Sequence, residues 1–264
     1  MSNNRADLLG CPVDLMTSQD FLHNVVVLIE EHAAAQNIQF VNANKIARIS
    51  DDPSFGQLMW RADYAFADGQ PMLPLARALG IRIPERIDGI GLMGKILHLA
   101  DARGYRVFLW GAKQSIIEAC VEKIQREMPG VVIAGYRNGY FKPDELPGIV
   151  AQIRDQHPDI VFLGMGSPMK EEIADRYRDV LGTTIVQGVG GSFDVMAGLV
   201  PRAPRWMQKM GMEWLFRVIQ EPRRMFWRYA LTNTVCLRVF TVALLRRIFR
   251  RAQPQAFTAT NKSQ

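Results

Sequence analysis

Short apolar runs rich in β-branched and aromatic residues alternate along this chain with longer stretches in which apolar residues recur every three or four positions. The short runs, at residues 38–44, 64–67, 106–111, 131–134, 159–164 and 183–187, read as strands. The longer stretches read as helices. Ser18 caps the first, which carries Phe21, Val25, Leu28 and Ile29 on one face, and others are expected over 45–49, 53–61, 71–79, 91–103, 115–128, 143–156 and 169–181. Residues 1–17 look like an extended lead-in. Strands and helices taking turns in this way form βαβ units. The expected fold class is therefore α/β, a mostly parallel, Rossmann-like sheet flanked by helices.

In an open sheet of this kind the carboxyl ends of the strands border one crevice, where ligands bind. Polar residues at those ends matter most. Asp68 closes the run 64–67 and precedes Gly69. Alone, an Asp-Gly pair marks a tight turn; at the crevice its carboxylate is a candidate general base. Asn42 and Asn44 end the preceding run, either pointing the same way from a continuing strand or capping the helix that follows. Arg86, in the loop 80–88, is the cation nearest the crevice in sequence, or else a solvated surface arginine.

Two glycine turns follow consecutive strands, Gly164-Met-Gly166-Ser-Pro168 and Gly188-Val-Gly190-Gly191. Such turns either let backbone amides approach phosphate oxygens or are purely structural. Neither makes a dinucleotide fingerprint, because Met169 stands where the third glycine belongs and no acidic residue ends the next strand. The chain also lacks a P-loop run and an Asp-x-Asp pair that would hold a divalent metal on a diphosphate. No metal or other cofactor is expected, and a bound diphosphate would be neutralised by amides and by the planar forks of arginines.

Composition adds scale and compartment. With 264 residues, 48% of them hydrophobic, the chain can bury a full core. Three cysteines, far apart, indicate neither a disulfide framework nor a zinc ribbon, and four histidines form no close ligand pair. A reducing cytosol fits, and no apolar signal segment follows the polar start of the chain. The net charge of +6 is concentrated from Arg202 to Arg251, where twelve bases face two acids. There Phe226, Ala230, Leu237, Phe240, Leu244 and Ile248 recur at helical spacing, with Arg224, Arg228, Arg238, Arg246 and Arg250 on the opposite side. This amphipathic helix has an apolar stretch too short to span a bilayer, with Arg238 in its middle. It suits an anionic membrane surface, or else core packing or contact with a second subunit in a homo-oligomer. No recognition motif accompanies the charge, so nucleic acid is not an expected partner. Three parts are expected: an α/β catalytic domain over 1–200, a basic membrane-associating appendage over 201–251 and a disordered tail over 252–264.

The motifs together resemble a known family. Phe66-Ala-Asp68-Gly69, Pro84-Glu-Arg86-Ile-Asp88-Gly89, Gly139-Tyr-Phe141, the two glycine turns, Arg202-Ala-Pro204 and Glu213-Trp-Leu-Phe-Arg217 are similar, in order and spacing, to those of the WecG/TagA/CpsF glycosyltransferases, glycosyltransferase family 26. The resemblance runs from about residue 8 to about residue 230. It implies an inverting, metal-independent transferase that moves a hexose-type sugar from a UDP-sugar onto a polyprenyl-diphosphate-linked saccharide. The setting would be the cytoplasmic face of the inner membrane, in surface or exopolysaccharide biosynthesis.

The same resemblance assigns Asp68 as the base, with Asn44 and Arg86 beside it as catalytic residues. Asn42 (threonine in some members), Asp88, Gly166, Lys170, Gly188, Gly190, Arg217 and Arg224 would bind substrates. At one point the chain departs from the family: Lys170-Glu171 stands where members carry Gln-Glu. Lys170 would then pair with the donor diphosphate or an acidic sugar, or turn to solvent. From the residues alone, the rival classes are a nucleotide-dependent Rossmann-type oxidoreductase and a non-catalytic docking module at the membrane.

Overall fold

The structure, a computed structural model, describes residues 4–69, 71–204, 206–207, 212–220 and 222–252, with side chains except at 214, 217, 224–230, 246 and 249–252. Its centre is a six-stranded, all-parallel sheet of β3 (Gln36–Val41), β4 (Tyr64–Ala67), β5 (Arg106–Gly111), β6 (Val132–Arg137), β7 (Ile160–Gly164) and β8 (Ile185–Gly188), in the order β4-β3-β8-β7-β5-β6. The expected Rossmann-like α/β architecture is present.

The inner strands β5 and β7 are apolar on both faces because both faces are covered, whereas the edge strand β6 is partly exposed. Val107 and Leu109 of β5 point into one core layer with Phe162 and Ile185, against α1 (Ser18–Glu30), α5 (Gly89–Arg103) and α6 (Gln114–Glu127). Phe108 and Trp110, one residue out of phase, enter the opposite layer with Val161, Leu163 and Val186, under α7 (Leu146–Arg154) and α8 (Met169–Tyr177). A third cluster joins Val41, Ala65 and Ala67 to α2 (Ala43–Asp51), α3 (Pro53–Trp60) and α4 (Met72–Ala78).

The lead-in at 1–17 contains structure that spacing did not reveal. β1 (Arg5–Leu8) and β2 (Cys11–Asp14) form an antiparallel hairpin around Leu9-Gly10, both at positive φ. Asp14 holds it in place: its carboxylate takes the Arg5 fork at 2.8 Å and the Ala65 N–H of β4 at 2.6 Å. The expected strand over 38–44 ends at Val41, since Asn42 caps α2 by accepting the Lys45 N–H at 3.2 Å.

At the other end lie α9 (Ser192–Met196), α10 (Glu213–Gln220) and α11 (Pro222–Ala252). The helix expected from the C-terminal pattern is α11. It packs on α2, with Cys236 buried in the third cluster and Arg247 donating to the Ala78 carbonyl at 2.7 Å. Its outward side exposes Leu231, Leu237, Val242, Leu245 and Ile248 together with Arg238, which the pattern sets opposite Leu237 and Ile248, because the helix packs through Cys236 and Val239 instead. Among the described residues no helix is long and apolar enough to cross a membrane. The tail expected to be disordered lies, from residue 253 on, outside the described residues. Cys11, Cys120 and Cys236 are free, and burial pushes the first two thiols up to about 12, so neither is a thiolate near neutral pH.

Candidate active site

The carboxyl ends of four adjacent strands, β4, β3, β8 and β7, open into one cavity of about 750 Å³. Asn42 and Asn44 enter it from the start of α2, Asp68 from the end of β4, Gly166 from the turn after β7, Lys170 from the start of α8, and Gly188 and Gly190 from the end of β8 and the turn after it. Arg86 and Asp88 reach it from the loop before α5. The backbone brings the two polar strand ends side by side, because the Asp68 N–H donates to the Val41 carbonyl at 2.8 Å. Asn42 thus caps a helix and lines the cavity at once. Glu213 of α10 and Thr232 and Asn233 of α11 close the wall. Arg217 and Arg224 belong to those same helices, with side chains outside the described residues. Among the described residues no group of histidines, cysteines and carboxylates could hold a metal ion.

Under the cavity lies a buried charge cluster. Glu171 is 1% exposed, Lys45 4% and Lys170 9%. The Lys45 ammonium sits 2.9 Å from Glu171, and the Lys170 ammonium bonds the same carboxylate oxygen. Lys170 has therefore folded inward rather than to solvent, while still lining the cavity. Burial lowers its pKa to about 8, helped by the like charge of Lys45 and resisted by Glu171 and Asp68. Burial alone would raise Glu171, but the two ammonium groups outweigh it and bring the carboxyl down to about 2. The Lys170 stem crosses Gly188, where an added Cβ would stand 3.2 Å from the lysine Cδ and 3.2 Å from Gln39 Oε1.

The rim carries a second cluster, more exposed. Asp88 caps α5 by accepting the Gly91 N–H at 2.8 Å, and the same oxygen, Oδ1, accepts from Arg202 at 2.8 Å. Its other oxygen faces Arg86 at 3.5 Å. Arg202 also meets Glu213 through Nε at 3.5 Å. Lys45, Arg202 and Glu213 were not singled out as site residues from the sequence, although the last two stand in the motifs quoted above.

A parallel sheet whose strand ends ring a cavity of carboxylate, amides and cations has the architecture of an α/β enzyme acting on small, polar ligands. The particular class follows from comparison: the chain belongs to the glycosyl transferase WecG/TagA/CpsF family, whose model matches residues 6–253. It is 32% identical over 215 residues to the N-acetylglucosaminyldiphosphoundecaprenol N-acetyl-beta-D-mannosaminyltransferase of Bacillus subtilis (strain 168), covering 80% of this chain and 82% of that protein. A protein of the same description from Bacillus spizizenii (strain ATCC 23059 / NRRL B-14472 / W23) is 33% identical over 181 residues, 69% of each chain.

Proposed function

We propose that this glycosyltransferase moves a hexose-type sugar from a UDP-sugar onto a polyprenyl-diphosphate-linked saccharide, with inversion and without a metal ion. The product would serve a bacterial surface polysaccharide or exopolysaccharide. The observation that carries this reading is the meeting of Asp68, Asn44, Arg86 and both glycine turns around one cavity. The acceptor class is supported by the relatives, whose names specify an undecaprenyl-diphosphate-linked amino sugar.

In this reading Asp68 takes the proton of the acceptor hydroxyl as its oxygen attacks the anomeric carbon, a contribution of ~10²–10⁴ in rate. The bond to the diphosphate breaks on the opposite face, so the configuration inverts. Negative charge grows on departing UDP, and Arg86 with the amides of the turns at Gly166, Gly188 and Gly190 stabilises it. Arg217 and Arg224, carried by the two helices that wall the cavity, would add to that field. Asn42 and Asn44 orient the donor beside the base. Lys170 belongs to the same binding wall.

The acceptor is a lipid, and α11 supplies a way to meet it. Its outward Leu231, Leu237, Val242, Leu245 and Ile248, with Arg238 among them, suit the headgroup boundary of an anionic bilayer. In this proposal the protein works as a peripheral enzyme on the cytoplasmic face of the membrane.

The test is UDP release from a panel of UDP-sugars with a synthetic polyprenyl-diphosphate monosaccharide in vesicles, with and without chelator. One donor should give acceptor-dependent release that survives the chelator. Asp68→Asn should still bind UDP but lose ~10²-fold or more in turnover. Wild-type turnover in that variant would remove Asp68 from its role, and chelator-sensitive release would remove the metal-free mechanism.

A further inference from the structure

The four charges at the rim alternate in sign, and their spacing is unequal. Asp88 Oδ1 is occupied twice at 2.8 Å, by the Gly91 N–H and by Arg202. Arg86 is left with the other oxygen at 3.5 Å, longer than a good charge-assisted bond. Among the described residues this is the ion pair of the Arg86 guanidinium, a side chain 17% exposed that lines the cavity. Arg202 does not line the cavity, and its Nε, buried without a hydrogen bond, rests 3.5 Å from Glu213.

Arginine and carboxylate prefer a bidentate, fork-to-fork contact. With its first oxygen taken, Asp88 cannot offer that geometry to Arg86. We infer that Arg202 is a positioning residue: by occupying Asp88 it keeps Arg86 from closing onto that carboxylate, and so keeps Arg86 available to the anionic leaving group in the cavity. Asp88 then acts as the pivot between two arginines rather than as a substrate ligand. Glu213 fixes the far side of Arg202, so α10 must be seated for the arrangement to form.

The inference rests on the reading that the cavity takes a diphosphate-bearing donor, and it makes an unusual demand on mutations. Removing Arg202 should let Asp88 capture Arg86 and withdraw it from the cavity. Removing the charge of Asp88 as well should release it again. Asparagine is the right replacement there, because it caps a helix as well as aspartate does.

The experiment is calorimetric titration of the full chain with UDP, for wild type, Arg202→Ala, Asp88→Asn and the double variant, with thermal unfolding followed alongside. Arg202→Ala should weaken UDP binding about tenfold, the scale of one lost charge-assisted hydrogen bond. Asp88→Asn alone should bind at least as well as wild type, and the double variant should recover to within about threefold of Asp88→Asn, a coupling typical of residues in one network. Where Arg202→Ala does not fold, Arg202→Gln takes its place in the cycle.

A merely structural tie predicts the reverse. Both single variants would then weaken binding, and the double would be no better than either. That pattern overturns the positioning role and leaves the donor reading intact. A folded wild-type protein that binds no UDP overturns the donor reading, and this inference with it.

Discussion

The cavity floor and the cavity rim are both built from alternating charges, yet burial gives them opposite characters. On the floor, Lys45 and Lys170 share Glu171 with almost no access to water. A buried carboxylate between two ammonium groups has little freedom, since losing any contact leaves a charge that water cannot reach. At the rim, Arg86, Asp88, Arg202 and Glu213 are only half-buried and their contacts spread from 2.8 to 3.5 Å. If the cavity takes an anion as proposed, such a set would be the one to exchange partners. Burial, more than charge count, separates the part that holds the site from the part that answers a ligand.

The sharpest way to break this contrast is Glu171→Gln, which leaves two buried lysines without a counter-charge. It should cost about 3–5 kcal/mol of stability, the range for breaking a buried ion pair, read as a shift in urea midpoint at constant slope. A loss under about 1 kcal/mol would place the floor with ordinary surface pairs.

Next in size is the response to pH. The Glu171 carboxyl falls from 4.5 to about 2 on folding, so its contribution is complete above pH 4.5 and lost as pH drops through about 2. Lys170 is lowered from 10.5 to about 8, so between those values the unfolded chain holds the proton more tightly and stability rises with pH. Urea midpoints across the pH range should show both slopes, and a flat alkaline limb would contradict the buried ammonium. The smallest effect should come from Lys170→Gln. It leaves Lys45 and Glu171 as a balanced pair, so stability should change by less than about 1 kcal/mol, while the alkaline slope disappears.

Much of this was legible from spacing. Strands β4, β5 and β7 were visible because residues covered on both faces read as unbroken apolar runs, and the strand ends pointed to Asp68, Asn42, Asn44 and the glycine turns. The choice left open at Asn42 resolves to the helix cap, and the capping residue still borders the cavity. Lys45 was not legible. A lysine inside a helix looks solvated until Glu171, from the helix that follows β7, is folded against it. Arg202 lies 114 residues beyond Asp88, so its contact belongs to tertiary structure alone. The hairpin of β1 and β2 escaped notice for a related reason: strands of four residues show little periodicity, and Asp14 gains its meaning only from the Ala65 N–H.

The crossing of the Lys170 stem over Gly188 has a consequence for how this enzyme can be remodelled. A Cβ at 188 would stand 3.2 Å from the lysine and 3.2 Å from Gln39 Oε1, so both must give way to any side chain introduced there. Laboratory evolution toward a different sugar therefore has a preferred order of steps. Shortening residues 170 and 39 together opens position 188 to variation, whereas a library at 188 alone must first displace both side chains.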